Sequence, residues 1–114
     1  MSKTIFDSFV SGEVPVDPVF ENDDVLAFHD INPQAPLHVL VIPKLKVERF
    51  SRLREWDDAQ AGRFFKAVSE VARILGLEDK GYRVIINNGF HAGQEVEYLH
   101  AHILGGRKMS WPPG

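Results

Sequence analysis

Residues 95–107 restrict the fold more than any other stretch of the chain, and they read EVEYLHAHILGGR. Side chains alternate between the two faces of an extended strand, so His100 and His102 share one face. The residues on the opposite face are apolar: Leu99, Ala101 and Ile103. Gly105 and Gly106 can turn the backbone without a Cβ penalty, which ends the strand. The pattern predicts a half-buried strand that presents two imidazoles about 6–7 Å apart.

Three interpretations of this histidine pair stay open on the residues alone. The pair can be structural, with both imidazoles hydrogen-bonded on a half-buried strand. It can supply two ligands of a metal site, completed by carboxylates or by His29, His38 or His91, because the chain has no cysteine. It can act on an anion, with one imidazole as nucleophile and neighbouring groups as proton donors. The small residues of the Gly93-Gln94 approach favour the third, because they let backbone N–H groups come close to an anion.

The composition is that of an ordinary globular protein. The chain has 114 residues, 44 % apolar and 25 % charged, which predicts one domain over residues 1–114. A net charge of −3 indicates no excess of basic residues for binding phosphates, so we expect no nucleic-acid partner. The chain has no cysteine and no apolar run of signal-peptide or transmembrane type, so we expect a cytoplasmic protein without membrane contact.

Hydrophobic spacing predicts an α+β fold in which one long helix packs on an antiparallel sheet. The long helix begins at the capping residue Asp57 and ends at Gly76, and a short amphipathic helix over residues 4–10 ends at Gly12. The long helix carries an apolar stripe at i, i+3, i+4 spacing: Ala61, Phe64, Phe65, Val68, Val71, Ala72 and Leu75. The predicted strands are residues 19–24, 25–30, 37–43, 82–88 and 95–104.

The strand over residues 37–43 is apolar on both faces, which predicts a central place in a covered sheet. His38 is a lone polar residue on the face that also carries Leu40 and Ile42. Such a histidine is commonly hydrogen-bonded in the core. Its functional interpretation therefore depends on whether it meets His100.

Several segments form a specific combination of motifs. Residues 26–36 read LAFHDINPQAP, residues 38–44 read HVLVIPK, residues 100–102 read HAH and residues 104–114 read LGGRKMSWPPG. Smaller matches are Gly81-Tyr82-Arg83, Asn87 and Gly93-Gln94. The combination resembles the histidine-triad (HIT) family, and most closely its Hint branch of nucleoside phosphoramidases. The resemblance extends over essentially the whole chain.

The resemblance implies an α+β protomer of HIT type, with an antiparallel sheet, one long helix and a short N-terminal helix. It implies a homodimer in which the two sheets become continuous. The expected ligand is a purine nucleotide of AMP or GMP type, or its phosphoramidate, and no cofactor or metal is expected.

The resemblance also assigns roles to individual residues. His100 matches the catalytic histidine, which attacks the α-phosphorus of a nucleoside monophosphate joined to an amine, and water then releases the nucleotide from the phosphohistidine. His102 matches a phosphate ligand or proton donor, and His38 matches a supporting histidine. The implied nucleotide contacts are Phe6, Phe9, Phe28, His29, Asp30, Ile31, Asn87, Gly93, Gln94, Glu95, His100 and His102. Asp30 can accept from both ribose hydroxyls, and apolar side chains can hold a purine between them.

The chain departs from the family pattern at four positions. Tyr98 replaces the first histidine of the triad, Glu95 stands where the branch usually has serine, Glu97 replaces a tyrosine and Lys46 replaces a histidine. A phenol cannot relay a proton as an imidazole does, so we expect reduced turnover and an increase in kcat for Tyr98→His. The alternative is a purine-nucleotide-binding module with little or no turnover. Glu95 is unfavourable beside a phosphate unless it faces away, is protonated or meets a cationic leaving group.

Overall fold

The computed structural model describes residues 2–114, and its five strands form one antiparallel sheet. The strands are β1 Phe20–Glu21, β2 Val25–His29, β3 Leu37–Pro43, β4 Arg83–Ile85 and β5 Ala101–Gly105. Their order across the sheet is β1-β2-β3-β5-β4, with every pair antiparallel. The predicted central place of residues 37–43 is confirmed, because β3 pairs with β2 on one side and β5 on the other.

The short helix α1 covers Ile5–Ser11 and is fixed at both ends. The Thr4 hydroxyl accepts from the backbone N–H groups of Phe6 and Asp7, and the Asp7 carboxylate accepts from the Thr4 N–H at 2.7 Å. Gly12 ends the helix in the left-handed region with φ 82°, where a residue without Cβ is favoured. The helix lies within one residue of its predicted range, and it holds its aromatic side chains over one face of the sheet.

The long helix α2 covers Asp58–Ile74 and packs against the other face. Asp57 caps it by accepting the Gln60 N–H at 2.8 Å. The predicted stripe is confirmed for its inner members, which are buried together with Ala67: Phe64, Val68, Val71 and Ala72. Phe65 lies at the margin of the stripe and is 41 % exposed.

The sheet separates two apolar clusters because its side chains alternate. The cluster under α2 includes Val39, Val41, Leu99, Ala101 and Ile103. The cluster under α1 consists of Phe6, Leu26, Phe28, Leu40, Ile42 and Tyr98. The α1 side also receives His38 and His102, so the histidines lie on the face that the short helix covers only in part.

Two predicted strands are longer in the sequence pattern than in the structure. The predicted strand 95–104 is regular only from Ala101, and the predicted strand 82–88 is regular only over Arg83–Ile85. Val96, Tyr98 and His100 still lie on the α1 side and Leu99 on the α2 side, but the backbone bonds elsewhere, since the Leu99 N–H donates to the Val47 carbonyl at 2.8 Å. Side-chain periodicity reports which face is buried, whereas regular strand structure also needs a neighbouring strand.

Two short 3-10 helices, Phe50–Glu55 and Phe90–Ala92, complete the fold. The second lies in the loop after β4 and ends at Gly93 with φ 82°. Within residues 2–114, no helix combines the length and the apolar character that crossing a bilayer requires.

Candidate active site

A cavity of about 620 Å³ opens on the α1 side of the sheet. Its walls come from α1, the end of β2 with the following loop, the facing side chains of β3 and β5, and the loop after β4. All of the sequence-predicted site residues except Gln94 line it: Phe6, Phe9, Phe28, His29, Asp30, Ile31, His38, Asn87, Gly93, Glu95, His100 and His102. The residues that the motifs single out are therefore brought to one place by the fold.

The pairing of β3 with β5 brings three histidines together. His38 lies on β3, His102 lies on β5, and His100 directly precedes β5. The ring centroids are 4.9 Å apart for His100 and His102 and 5.2 Å apart for His38 and His102. His38 Nε2 lies 2.9 Å from His102 Nδ1. The partner of His38 is thus His102, so His38 reaches the pair without bonding to His100.

The protons of His38 and His102 can be assigned from their partners. The Gln34 backbone N–H donates to His38 Nδ1 at 3.0 Å, so this nitrogen carries no proton. His38 Nε2 then carries the proton and donates to His102 Nδ1. His102 must therefore carry its own proton on Nε2. That nitrogen is buried and has no hydrogen-bond partner among the described residues, so it is a donor available to a ligand.

His100 has the opposite arrangement. Its Nδ1 lies 2.7 Å from the Tyr98 carbonyl oxygen, which can only accept, so Nδ1 carries the proton. The lone pair is then on Nε2. The cavity consequently presents a nucleophilic nitrogen on His100 beside an N–H donor on His102, which is the pair of groups that attack on an anionic phosphorus requires.

Burial keeps these imidazoles neutral. Desolvation lowers the pKa of His38 and of His100, although Asp30 opposes the change in both cases. The pKa of His102 falls to about 4, first because of burial and then because of the neighbouring imidazoles of His100 and His38. Neutral rings at pH 7 are what the tautomer assignment assumes, so electrostatics and geometry agree.

One end of the cavity is aromatic. Phe6, Phe9 and Phe28 contact one another with ring centroids 5.1–6.2 Å apart. Ile31 lies at the same cavity and is fully exposed. Such a wall suits a flat apolar ring.

Asp30 follows the last residue of β2 and lines the cavity. One carboxylate oxygen accepts the Asn32 N–H at 2.8 Å, and the other lies 3.4 Å from His38 Nε2. Asp30 is thus a turn acceptor and a histidine neighbour at once. Each oxygen keeps further accepting capacity for a ligand hydroxyl.

Gln94 does not line the cavity, in contrast to the expectation that it contacts the nucleotide. Its side chain accepts the Gly89 N–H at 2.8 Å and donates to the carbonyls of Glu48 at 2.8 Å and Val96 at 3.0 Å. All of its hydrogen-bonding groups are engaged by the backbone. Gln94 therefore holds the loop that places Gly93 and Glu95 at the cavity.

Tyr98 also lies outside the cavity. Its side chain is 1 % exposed, packs against Phe6 and donates its hydroxyl to the Pro43 carbonyl. Burial raises the pKa of the phenol, which stays protonated. The Tyr98 side chain is thus a core group, whereas its backbone carbonyl orients His100. Strand alternation predicts the phenol on the face of the nucleophile His100. The ring does lie on the α1 side, but it turns toward the end of β3 and stays in the core.

The cavity includes residues that the sequence predictions missed: Ile5, Val16, Asn32, Gln34, Leu40 and Val96. Leu40 and Val96 could have been found, since strand alternation places them on the faces of His38 and His100. Gln34 contributes through its backbone N–H. Side-chain chemistry in the sequence carries no information about such a contact.

Comparison with known proteins agrees with this geometry. Residues 11–109 match the HIT domain family. The 14 kDa zinc-binding protein of Zea mays is 47 % identical, covering 99 % of this chain and 89 % of its own. Adenylylsulfatase HINT1 of Arabidopsis thaliana is 44 % identical, covering 99 % of this chain and 78 % of its own. The crystal structure of a HIT family hydrolase from Legionella pneumophila has a TM-score of 0.92 at 39 % identity, covering 98 % of this chain and 100 % of that one.

A sheet of this topology with paired histidines before and within β5 defines the class, and the chain belongs to the HIT family. Within the family it belongs to the Hint branch, as its likeness to HINT1 of Arabidopsis thaliana shows. The α+β fold expected from the sequence is confirmed.

The name of the maize relative raises the question of a metal site. Ligand atoms of Asp30, His38 and His102 lie within 4.8 Å of one another. However, His38 Nε2 and His102 Nδ1 are 2.9 Å apart and share one proton, so a metal ion could bind both only after that bond is broken. Zinc held by protein ligands alone also needs four of them. The arrangement fits proton sharing, and the absence of a metal stays a prediction.

Proposed function

We propose that the protein hydrolyses purine nucleoside 5′-phosphoramidates, breaking the P–N bond through a nucleotidyl-histidine at His100. The observation that carries the proposal is the set of hydrogen-bond contacts of the three imidazoles, from which we infer a lone pair on His100 Nε2 beside an N–H on His102. HIT family membership and the likeness to a HIT family hydrolase support a hydrolase that acts on nucleotides. That the substrate is a phosphoramidate is a more specific proposal than this family membership supports by itself.

In the proposed complex the purine lies against Phe6, Phe9 and Phe28. The ribose hydroxyls donate to Asp30, whose carboxylate lines the same cavity. These contacts leave the α-phosphate at the histidines. Holding the phosphorus near one nucleophile converts an encounter in solution into an intramolecular step, which is a large part of the expected rate gain.

In the first step the lone pair of His100 Nε2 forms a bond to phosphorus while the P–N bond breaks. The electron pair of that bond stays on the amine nitrogen, which takes a proton from water. His102 Nε2–H donates to a phosphoryl oxygen, and the Tyr98 carbonyl stabilises the positive charge that develops on His100.

In the second step water attacks the same phosphorus and the His100–P bond breaks. The electron pair returns to Nε2, and the water releases a proton to solvent. The sum of both steps consumes one water and yields a nucleoside monophosphate and a free amine. His38 holds the His102 tautomer throughout, because its own Nδ1 is bound by the Gln34 amide.

A turnover assay on adenosine 5′-phosphoramidates tests the proposal. We expect His100→Ala to lower kcat by about 10³-fold or more, because no other nucleophile faces the phosphorus. AMP affinity, measured by calorimetry, should stay within about tenfold, because the aromatic wall is unchanged. The matched control is His91→Ala, which removes an exposed histidine outside the cavity and should leave kcat unchanged.

Two outcomes would contradict the proposal. Undiminished turnover in His100→Ala would move the chemistry to another residue. Saturable AMP binding without any turnover by the unmodified protein would favour the alternative, a purine-nucleotide-binding module.

We also propose that the protein is a homodimer whose two sheets join at β4. This strand is an outer edge of the sheet, and Val84 on it is 41 % exposed. An apolar edge strand with unpaired backbone groups favours pairing with a second strand.

A further inference from the structure

The active-site cavity has an unusual charge balance for a site that receives a phosphate. Its walls contain two carboxylates, Asp30 and Glu95, and no lysine or arginine among the described residues that line it. The pKa values of His38, His100 and His102 are all lowered, so these rings add no positive charge at neutral pH. An anionic ligand therefore meets net negative charge.

The two carboxylates differ in their surroundings. Asp30 accepts the Asn32 N–H and lies 3.4 Å from His38 Nε2. Glu95 is exposed and makes no hydrogen bond or ion pair with any residue in the range 2–114. Its neighbour Glu97, by contrast, binds Arg49 through both carboxylate oxygens at 2.7 and 3.0 Å. Within this segment only the carboxylate that faces the cavity lacks a counterion.

The substrate itself can supply the missing positive charge. The inference rests on the proposed function, in which the aromatic wall binds the base, Asp30 binds the ribose and the histidines bind the phosphate. The leaving amine is the one part of the substrate that remains to meet Glu95. We propose that Glu95 is a specificity residue, which selects phosphoramidates whose leaving amine carries a second, cationic group.

The same charge should act against anionic leaving groups. A carboxylate or sulfate on the leaving side would be repelled by Glu95, whereas an ammonium would be attracted. The Arabidopsis relative is named an adenylylsulfatase. For this chain the inference sets the opposite preference, with cationic leaving groups first, neutral ones next and anionic ones last.

Three substrates with one common adenosine 5′-phosphoryl group test the inference. The amine is 1,4-diaminobutane, butylamine or 4-aminobutanoate, so chain length is similar and the terminal charge is +1, 0 or −1. At low ionic strength we expect kcat/KM for the cationic substrate to exceed that of the neutral one by about three- to tenfold. The anionic substrate should be slower than the neutral one by a similar factor. Added salt should reduce both differences.

Two variants assign the effect to one residue. Glu95→Gln keeps the shape of the side chain and removes its charge, so the three values of kcat/KM should converge to within about twofold. Glu97→Gln makes the same charge change two residues away, outside the cavity, and should keep the preference. Equal values for the unmodified protein, or a preference that persists in Glu95→Gln, would overturn the inference.

The outcomes separate this inference from the proposed function. Hydrolysis of the butylamine compound that depends on His100, without a charge preference, refutes the role of Glu95 alone. If none of the three compounds is hydrolysed, or if hydrolysis survives His100→Ala, the proposed function fails and the inference fails with it.

Discussion

At the scale of single residues, Tyr98 shows how a side chain and a main-chain group of one residue can serve different purposes. Its ring fills the core under α1, and its hydroxyl donates to the Pro43 carbonyl. Its own carbonyl accepts from His100 Nδ1 and fixes the tautomer of the nucleophile. Replacement of a family histidine by tyrosine therefore changes the core and leaves the orienting contact in place.

We expect Tyr98→Phe to lower the free energy of unfolding by about 1–2 kcal/mol, because the Pro43 carbonyl loses its donor in a buried place. The value of kcat should stay within about twofold, since the phenol does not line the cavity. Denaturant unfolding and the turnover assay measure the two quantities. Tyr82→Phe, at an exposed tyrosine, is the control and should change neither.

The sequence predicts an increase in kcat for Tyr98→His, and the buried place of the Tyr98 ring leads to a different prediction. An imidazole at this position is shorter than the phenol and lies in the same apolar core, so we expect lower stability and no gain in kcat. A clear increase in kcat would mean that the imidazole reaches the cavity, and it would restore the interpretation of Tyr98 as an attenuating substitution.

At the scale of elements, the pairing of β3 with β5 creates the histidine network. Val39 pairs with Ile103 and Leu40 pairs with His102, which places His38 diagonally opposite His102. A shift of either strand by one residue would turn its histidine to the other face. The register of β3 and β5 therefore fixes which histidines meet.

The burial of His102 makes the free energy of unfolding depend on pH. The pKa of His102 is about 4 in the folded chain and near 6.5 in the unfolded chain. Between these values the unfolded state binds the proton and the folded state does not, so stability falls as the pH drops from 6.5 toward 4. Allowing for solvent screening, we expect a loss of about 1–2 kcal/mol from this residue.

Unfolding free energies at pH 7, 6, 5 and 4.5 measure the effect. In His102→Asn the slope between pH 6.5 and 4.5 should be smaller than in the unmodified protein, and in the exposed control His91→Ala it should be unchanged. An identical slope in His102→Asn would show that the loss arises from other groups.

The same elements show what the sequence can and cannot predict. A run that is apolar on both faces identified β3, and alternating side chains identified β5 and the face of its histidine, because burial restricts the choice of side chain. Backbone partners leave no such trace. The Gln34 amide on His38, the Val47 carbonyl on Leu99 and the full engagement of Gln94 became visible only in three dimensions.

At the scale of the whole molecule, the exposed strand β4 is the place where we expect a second protomer. Val84→Asp should weaken the dimer by at least about tenfold in Kd, because a buried, unpaired carboxylate would face the partner. Light scattering after gel filtration measures the mass as a function of concentration. Glu78→Asp, which keeps the charge of an exposed residue in the turn after α2, serves as the control. A monomeric unmodified protein at high concentration would refute the dimer.

Main-chain groups fix the tautomers of His38 and His100, so substitutions at positions 34 and 98 need not disturb the site. The Gln34 N–H and the Tyr98 carbonyl are present whatever side chain stands at these positions. Substitutions there do not change which nitrogen of His38 and of His100 carries the proton, provided that the backbone keeps its path. Proline at position 34 is the exception, because it has no N–H to donate. The side chains at positions 34 and 98 can therefore change while His38 and His100 keep their tautomers.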